Sequence, residues 1–115
     1  MAKVFLIDPF AREVTEHDID LRGLDEVYAL MQCQYVEAVR LRGVPSDWLY
    51  LDEDGRGKAG QRHFLCYLFP GQELCGRAVW FGGADSEGEA IATKATLQYV
   101  RGTIMFEPIE DEDED

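Results

Sequence analysis

The run Val4-Phe5-Leu6-Ile7, ended by Asp8-Pro9, is the strongest structural signal in this chain. Four consecutive apolar residues with β-forming side chains predict a strand that is buried on both faces, near the middle of a sheet. The next segment, residues 13–19, places β-branched residues among charged ones. That pattern predicts a more exposed strand, which pairs back on the first strand as a hairpin.

Residues 20–31 predict the clearest helix of the chain. Asp20 is predicted to cap it, and the acidic pair at residues 25–26 suits its first turn. We interpret its apolar face as part of the core. Four residues fall at positions i, i+3, i+4 and i+7 and so define that face: Leu24, Val27, Tyr28 and Met31.

Turn residues and apolar runs predict further strands and a second helix. Residues 63–69 and 76–81 flank the turn at Pro70-Gly71 and are predicted to pair, with Trp80 buried. Residues 93–101 are predicted as a helix capped by Thr93, with a strand at residues 96–100 as the alternative. The other predicted strands are residues 35–41, 48–51 and 103–106.

These elements predict an α+β fold, with a single mixed or antiparallel sheet of about six strands and one or two helices on one face. The chain has 115 residues, which suits one ordinary domain. We predict that residues 1–106 form this domain. Residues 107–115 are predicted to be a disordered acidic tail, because the unbroken acidic run from Glu110 to Asp115 has no apolar side chain to bury.

The chain is acidic: 23 Asp and Glu against 11 Lys and Arg give a net charge of −12. Seven of the acids lie in residues 107–115, so residues 1–106 carry a charge of −5. Direct binding of nucleic acid is therefore disfavoured, because it exchanges counterions for Lys and Arg. No apolar run approaches the roughly 20 residues that span a bilayer, and the first apolar run is too short for a secretion signal. We expect a cytoplasmic protein without membrane contact.

The three cysteines, Cys33, Cys66 and Cys75, lie in or beside apolar segments. Their spacings of 33 and 9 include no Cys-x-x-Cys pair, which is the spacing typical of zinc sites and thiol exchange. We interpret them as reduced, small core residues.

The segment Gly55-Arg56-Gly57-Lys58-Ala59-Gly60 matches the pattern G-x-G-x-x-G. A dinucleotide site requires a helix directly after such a loop, whereas residues 61–69 have β character. Three acids at residues 52–54 also crowd the position that a phosphate would take. We interpret the segment as a solvated hairpin loop. The alternative is a contact for a small anionic ligand or a partner through a basic cluster: Arg56, Lys58, Arg62 and His63.

Two acidic stretches are candidate contacts for a partner. The first, Asp52-Glu53-Asp54-Gly55, is similar to part of a calcium loop, but Tyr50 and Gln61 then stand where an EF-hand needs acids. Weak divalent binding by clustered carboxylates remains the alternative to our prediction of no metal site and no cofactor. The candidate acidic partner-binding residues are Asp52, Glu53, Asp54, Glu110, Asp111 and Glu112.

Several short motifs between residue 3 and about residue 106 resemble an uncharacterised domain family of bacteriophages and mobile elements, which has no assigned activity. The resemblance implies a mobile-element origin and carries over no catalytic residues. The acidic tail, Trp48 and Trp80 are not part of the pattern. The motifs are Lys3-Val4-Phe5-Leu6-Ile7-Asp8-Pro9, the helix with Tyr28 that runs into Cys33, Val39-Arg40-Leu41, Leu49-Tyr50-Leu51-Asp52-Glu53-Asp54-Gly55, and Gly76 with Gly82 before Asp85-x-Glu87-Gly88.

The function that these observations favour is non-enzymatic, since the chain has no G-x-S-x-G, H-E-x-x-H or P-loop pattern. We expect a small acidic interaction protein of phage or mobile-element origin that inhibits a host protein, such as a nucleic-acid-binding defence factor. Ordered carboxylates suit a groove that binds phosphates. The alternative is a binding module for an anionic metabolite or nucleotide, in which residues 55–63 or 82–88 close over the ligand.

Overall fold

The predicted hairpin opens the fold in the computed structural model, which describes residues 1–43 and 47–107. Strand β1 (Ala2–Asp8) pairs antiparallel with strand β2 (Glu13–Ile19). In the turn between them, the Asp8 carboxylate accepts hydrogen bonds from the backbone N–H groups of Phe10 and Ala11 at 2.9 and 3.3 Å. As predicted, the apolar residues of β1 are buried on both faces of the sheet.

Two short helices and six more strands follow along the described chain. Each helix has seven residues, and neither is long and apolar enough to cross a membrane. A single 3-10 turn at Gly55–Gly57 interrupts the loop that was predicted there. The elements are α1 (Asp25–Met31), β3 (Val36–Arg40), β4 (Trp48–Asp52), β5 (His63–Cys66), β6 (Leu74–Cys75), β7 (Ala78–Phe81), α2 (Leu97–Thr103) and β8 (Ile104–Phe106).

Five strands form one antiparallel sheet in the order β2-β1-β7-β4-β3. Strand β7 lies at its centre, with all four residues buried, and pairs with β1 on one side and β4 on the other. The prediction that this strand pairs with the strand at residues 63–69 was wrong. A strand that is apolar on both faces is most stable at the centre of a sheet, where neighbouring strands satisfy both edges and packed layers cover both faces.

The remaining three strands form a second antiparallel sheet in the order β6-β5-β8. The α+β class is therefore confirmed, whereas the predicted single sheet of about six strands is replaced by two sheets. The reason lies at Gly76, which has a φ of 84° and whose N–H donates to the Arg62 carbonyl at 2.8 Å. This left-handed residue turns the chain between β6 and β7 and so places them in different sheets.

The two faces of the five-stranded sheet are covered unequally. The face with Phe5 and Trp80 packs against the second sheet and α2 in the larger apolar cluster. The face with Val4 packs against α1, which contributes the buried side chains of Val27 and Met31. A seven-residue helix covers less area than a sheet and a helix together, so this second face stays partly open along β3 and β4.

A buried polar contact joins the segment after β7 to the start of β4. Asp47 is only 2% exposed, and its Oδ2 accepts hydrogen bonds from Trp80 Nε1 and Thr93 Oγ1, both at 2.7 Å. The N–H of Ala95 donates in turn to Thr93 Oγ1 at 3.0 Å. A buried carboxylate is costly without such donors. The contact therefore fixes the segment after β7, at Thr93, against the sheet. Trp80 is fully buried, as predicted.

Helix α1 begins five residues after its predicted cap. Asp20 does not cap it, because its carboxylate instead accepts hydrogen bonds from the backbone and the side chain of Arg22. Leu24 occupies the cap position, without a side-chain hydrogen bond.

Helix α2 confirms the predicted helix over the alternative strand, but its cap also differs. Thr96 Oγ1 accepts a hydrogen bond from the N–H of Tyr99 at 3.1 Å and so caps the helix. Thr93 does not cap the helix, because the helix begins only at Leu97, and the Thr93 hydroxyl accepts from the Ala95 N–H and donates to Asp47 instead.

Candidate functional site

The predicted basic cluster is divided between separate partners. Arg62 and His63 both contact the carboxylate of Glu107, at 3.5 and 3.2 Å. Lys58 pairs instead with Asp52, and Arg56 Nη2 donates to the Glu73 carbonyl at 3.4 Å. Three of the four predicted residues therefore have carboxylates of the same chain beside them, which weakens the field that would attract an anion.

The ion pair of Lys58 with Asp52 has the shortest N–O distance among the ion pairs of the described chain, with 2.6 Å between Nζ and Oδ2. The hydrogen bond to Asp52 raises the pKa of Lys58. Asp52 also accepts a hydrogen bond from the N–H of Asp54 at 3.0 Å. The Asp52 carboxylate therefore binds partners within its own loop, whereas Glu53 and Asp54 are exposed.

The second predicted acidic stretch, with Glu110, Asp111 and Glu112, lies outside the described residues. Among residues 1–43 and 47–107, no three His, Cys, Asp or Glu side chains are grouped closely enough to hold a metal ion.

The three cysteines are free thiols. Cys66 is buried in the larger apolar cluster, while Cys33 and Cys75 are partly buried. Burial raises the pKa of each thiol. A raised pKa disfavours the thiolate, which is the nucleophilic form, so these positions fit the predicted structural role.

A concave site, an aromatic groove, lies on the partly open face of the five-stranded sheet. Trp48 and Tyr50 alternate along β4 and are half-buried, and Phe81 lies beside them on β7. The rings of Tyr50 and Phe81 stack with centroids 4.2 Å apart and planes 13° apart. Burial raises the pKa of the Tyr50 hydroxyl, which therefore stays protonated at neutral pH. These rings form the floor of the groove.

Small residues along the walls leave the groove open. The segment after β7 crosses beside the aromatic floor, and it presents only hydrogen or methyl side chains there. Leu21 adds one apolar side chain, and the enclosed volume is about 310 Å³. The small wall residues are Ala38, Gly83, Ala84, Gly88 and Ala90.

Backbone and side-chain hydrogen bonds define the wall loop, which we take as residues 83–91. The N–H of Ile91 donates to the Gly83 carbonyl at 3.0 Å, and Ala84 and Ala90 form an isolated bridge. Asp85 Oδ1 accepts hydrogen bonds from two N–H groups further along the loop. The wall is therefore a small closed unit, not an extended connection.

Acidic residues lie on the wall loop and in a neighbouring depression. Asp85, Glu87 and Glu89 are exposed on the wall loop. A second depression of about 300 Å³ shares Leu21 and Ala90 with the groove and adds Asp20, Arg22 and Glu89. The hydrogen bonds from Arg22 lower the pKa of Asp20 to about 2, so this carboxylate is ionised at neutral pH. We call these four carboxylates, of Asp20, Asp85, Glu87 and Glu89, the acidic rim.

Sequence reasoning missed the groove, although two signals for it are present. In Trp48-Leu49-Tyr50-Leu51 the leucines face the larger core, so the aromatic rings must face the opposite side of the sheet. The glycines and alanines of the wall loop lie largely in residues 82–88, which the sequence predicted only as a loop that closes over an anionic ligand in the alternative function. Their position above the rings depends on the path of the chain after β7, which local patterns do not report.

Comparisons with protein-family models, with curated proteins and with solved structures returned no match for this chain. The resemblance to a domain family of bacteriophages and mobile elements therefore stays a prediction. The evidence for function is the geometry and the charge of the groove and its surroundings.

Proposed function

We propose that this chain is a small acidic binding protein, without catalytic activity, whose partner is a basic protein surface. The observation that carries the proposal is the balance of acidic and basic side chains and the ion pairs between them. Residues 1–107 contain all 11 bases and 17 of the 23 acids, and at least four of those bases are ion-paired within the chain. Each of these pairs neutralises one acid together with one base, so residues 1–107 keep a net charge of −6 and a negative surface field, of which the acidic rim beside the groove is part.

A partner that binds nucleic acid fits this field best. Such proteins present Lys and Arg to phosphates, and an acidic surface attracts the same side chains over several ångströms of solvent. Within this proposal the partner is a host nucleic-acid-binding defence factor in the cytoplasm. The chain inhibits this factor by occupying its phosphate-binding surface. The chain itself is of phage or mobile-element origin.

Competition with DNA tests the proposal. The full chain is immobilised and exposed to a bacterial lysate from which nuclease has removed nucleic acid. We expect it to retain basic nucleic-acid-binding proteins and to release them when double-stranded DNA is added. Retention of proteins without regard to their charge, unaffected by added DNA, would contradict the proposal. A chain that ends at Pro108 serves as the matched control for the share contributed by the acidic run.

The alternative of an anionic metabolite or nucleotide is less well supported. Asp52 and Glu107 neutralise the predicted basic cluster from two sides, and the wall loop carries carboxylates. We therefore expect nucleotides to leave the melting temperature unchanged, because only a ligand that binds the folded state raises it. A rise in melting temperature with nucleotide concentration would restore this alternative.

A further inference from the structure

The aromatic groove has the chemistry of a site for a cation. Trp48 and Tyr50 are half-buried, and their rings form a floor that no side chain of the wall loop covers. The faces of such rings attract ammonium and guanidinium groups, most strongly where water is partly excluded. Stacking on Phe81 fixes the Tyr50 ring, so a ligand need not order it.

Charge distinguishes a cation from an anion or a neutral ligand here. The acidic rim lies on the β7 side of the floor, with Asp85, Glu87 and Glu89 on the wall loop itself. One base on that side, Arg22, is paired with Asp20 of the rim. A cation in the groove therefore contacts aromatic side chains and carries the charge opposite to that of the wall loop beside it.

The fold already places one guanidinium on this floor. Arg40 lies opposite Trp48 in the pairing of β3 with β4, and its Cζ is 5.8 Å from the centre of the Trp48 ring. Arg40 belongs to the β3 side of β4, whereas the wall loop follows β7 on the other side. The contact shows that a planar guanidinium fits against this aromatic surface.

We infer that the groove is an anchor for one arginine side chain of the basic protein partner; this inference rests on the proposed function. The volume of about 310 Å³ lies at the lower end of the range of small-molecule sites, roughly 300–1,000 Å³, which suits one long side chain. Arginine fits better than lysine, because its planar and weakly hydrated head stacks on aromatic rings.

Three peptides test the inference on the full chain. Each is an oligo-lysine of the same length whose central residue is arginine, lysine or citrulline, and citrulline has the shape of arginine without its charge. We expect the arginine peptide to bind roughly three- to tenfold more tightly than the other two, from one added cation–π contact. Its binding should also change the fluorescence of the half-buried Trp48, since Trp80 is fully buried.

Two variants and one control locate the effect. Ala38→Leu fills the groove from the exposed strand β3, and Trp48→Leu removes one ring. Each should abolish the preference for arginine, so that the arginine and lysine peptides bind the variant with equal affinity. Ala59→Leu makes the same change at an exposed residue that does not line the groove, and it should keep the preference. Melting temperatures verify that each variant is folded.

The outcomes separate the two proposals. Equal affinities for the three peptides, or a preference that survives in Ala38→Leu and Trp48→Leu, would overturn the arginine anchor and leave the acidic binding protein intact. Equal binding of arginine and citrulline, both above lysine, would show a neutral planar ligand and also overturn it. No binding of any peptide at low salt would count against the proposed function itself.

Discussion

Trp48 and Trp80 lie on neighbouring strands of one sheet but point to opposite faces. Trp80 is opposite Leu49 in the strand pairing and faces the larger core, whereas Trp48 is opposite Phe81 and faces the groove. The first is fully buried and hydrogen-bonded to Asp47, while the second is half-buried with the Arg40 guanidinium over its ring. The same residue type therefore packs in the core at one position and lines the groove at the other.

The loss of Trp80 should cost far more stability than the loss of Trp48. Trp80→Ala empties a fully buried volume and leaves Asp47 without one of its donors, so we expect a decrease of roughly 3–5 kcal/mol in the free energy of unfolding. Trp48→Ala is the matched control, and it should cost clearly less because its ring is already partly hydrated. Denaturant unfolding measures both, and equal losses would show that the two rings are buried alike.

The hydroxyl of Thr93 should contribute more to the free energy of unfolding than its small size suggests. Thr93→Val keeps the shape but removes the donor to the buried Asp47 carboxylate, and we expect a loss of about 1–3 kcal/mol. Thr93→Ser keeps the hydroxyl and should lose less. If the serine variant is the less stable of the two, then the methyl group and not the hydrogen bond is what matters at this position.

At the scale of elements, the path of the chain after β7 creates the groove. A Cβ atom on Gly82 would collide with the carbonyl oxygen of Ile91, and it would also lie within 3.0 Å of backbone atoms of Ala92 and Thr93. Only glycine allows the two segments to pass this closely. The close passage holds the wall loop beside Trp48 and Tyr50, so a backbone requirement at the end of one strand positions one side of the proposed site.

The same substitution should have opposite effects at two glycines. Gly82→Ala forces two backbone segments apart, and we expect a loss of roughly 1–3 kcal/mol, as for other overpacked sites. Gly102 lies inside α2 with nothing within 4 Å of a new Cβ, so Gly102→Ala should gain about 0.5–1 kcal/mol from helix propensity. Thermal unfolding measures both. A stable Gly82→Ala protein would mean that the wall loop moves away easily.

At the scale of the whole molecule, charge is the dominant property. The net charge of −12 repels acids from one another and attracts basic partners from a distance. The groove adds a short-range contact to that long-range attraction. Affinity for a basic protein should accordingly have one contribution that salt screens and another, from the aromatic floor, that salt affects much less.

Removal of residues 110–115 should separate these two contributions. The deletion takes away six acids, which lowers the net charge from −12 to −6. We expect slower association with the arginine peptide and a weaker dependence on salt, with the preference for arginine over lysine unchanged. The melting temperature should stay the same or rise slightly. A marked loss of stability would show instead that these residues support the fold.

Local patterns predicted much of the fold. The hairpin of β1 and β2, the α+β class, helix α2 and the burial of Trp80 follow from apolar spacing, because spacing reports which side of a short segment avoids water. The same patterns failed at element ends. The predicted caps Asp20 and Thr93 have suitable side chains, but these side chains form hydrogen bonds with Arg22 and Asp47 instead.

The sequence by itself determined the charge, the strands and the burial of their apolar faces, since these depend on side chains a few residues apart. Only the tertiary structure decided which strands share a sheet, and it divided the basic cluster through Glu107, which lies 44 residues from His63. It also formed the aromatic groove, whose lining residues come largely from β3, β4, β7 and the loop after β7. Contacts between distant segments depend on where the chain turns and which surfaces pack together, and no local spacing records either of these.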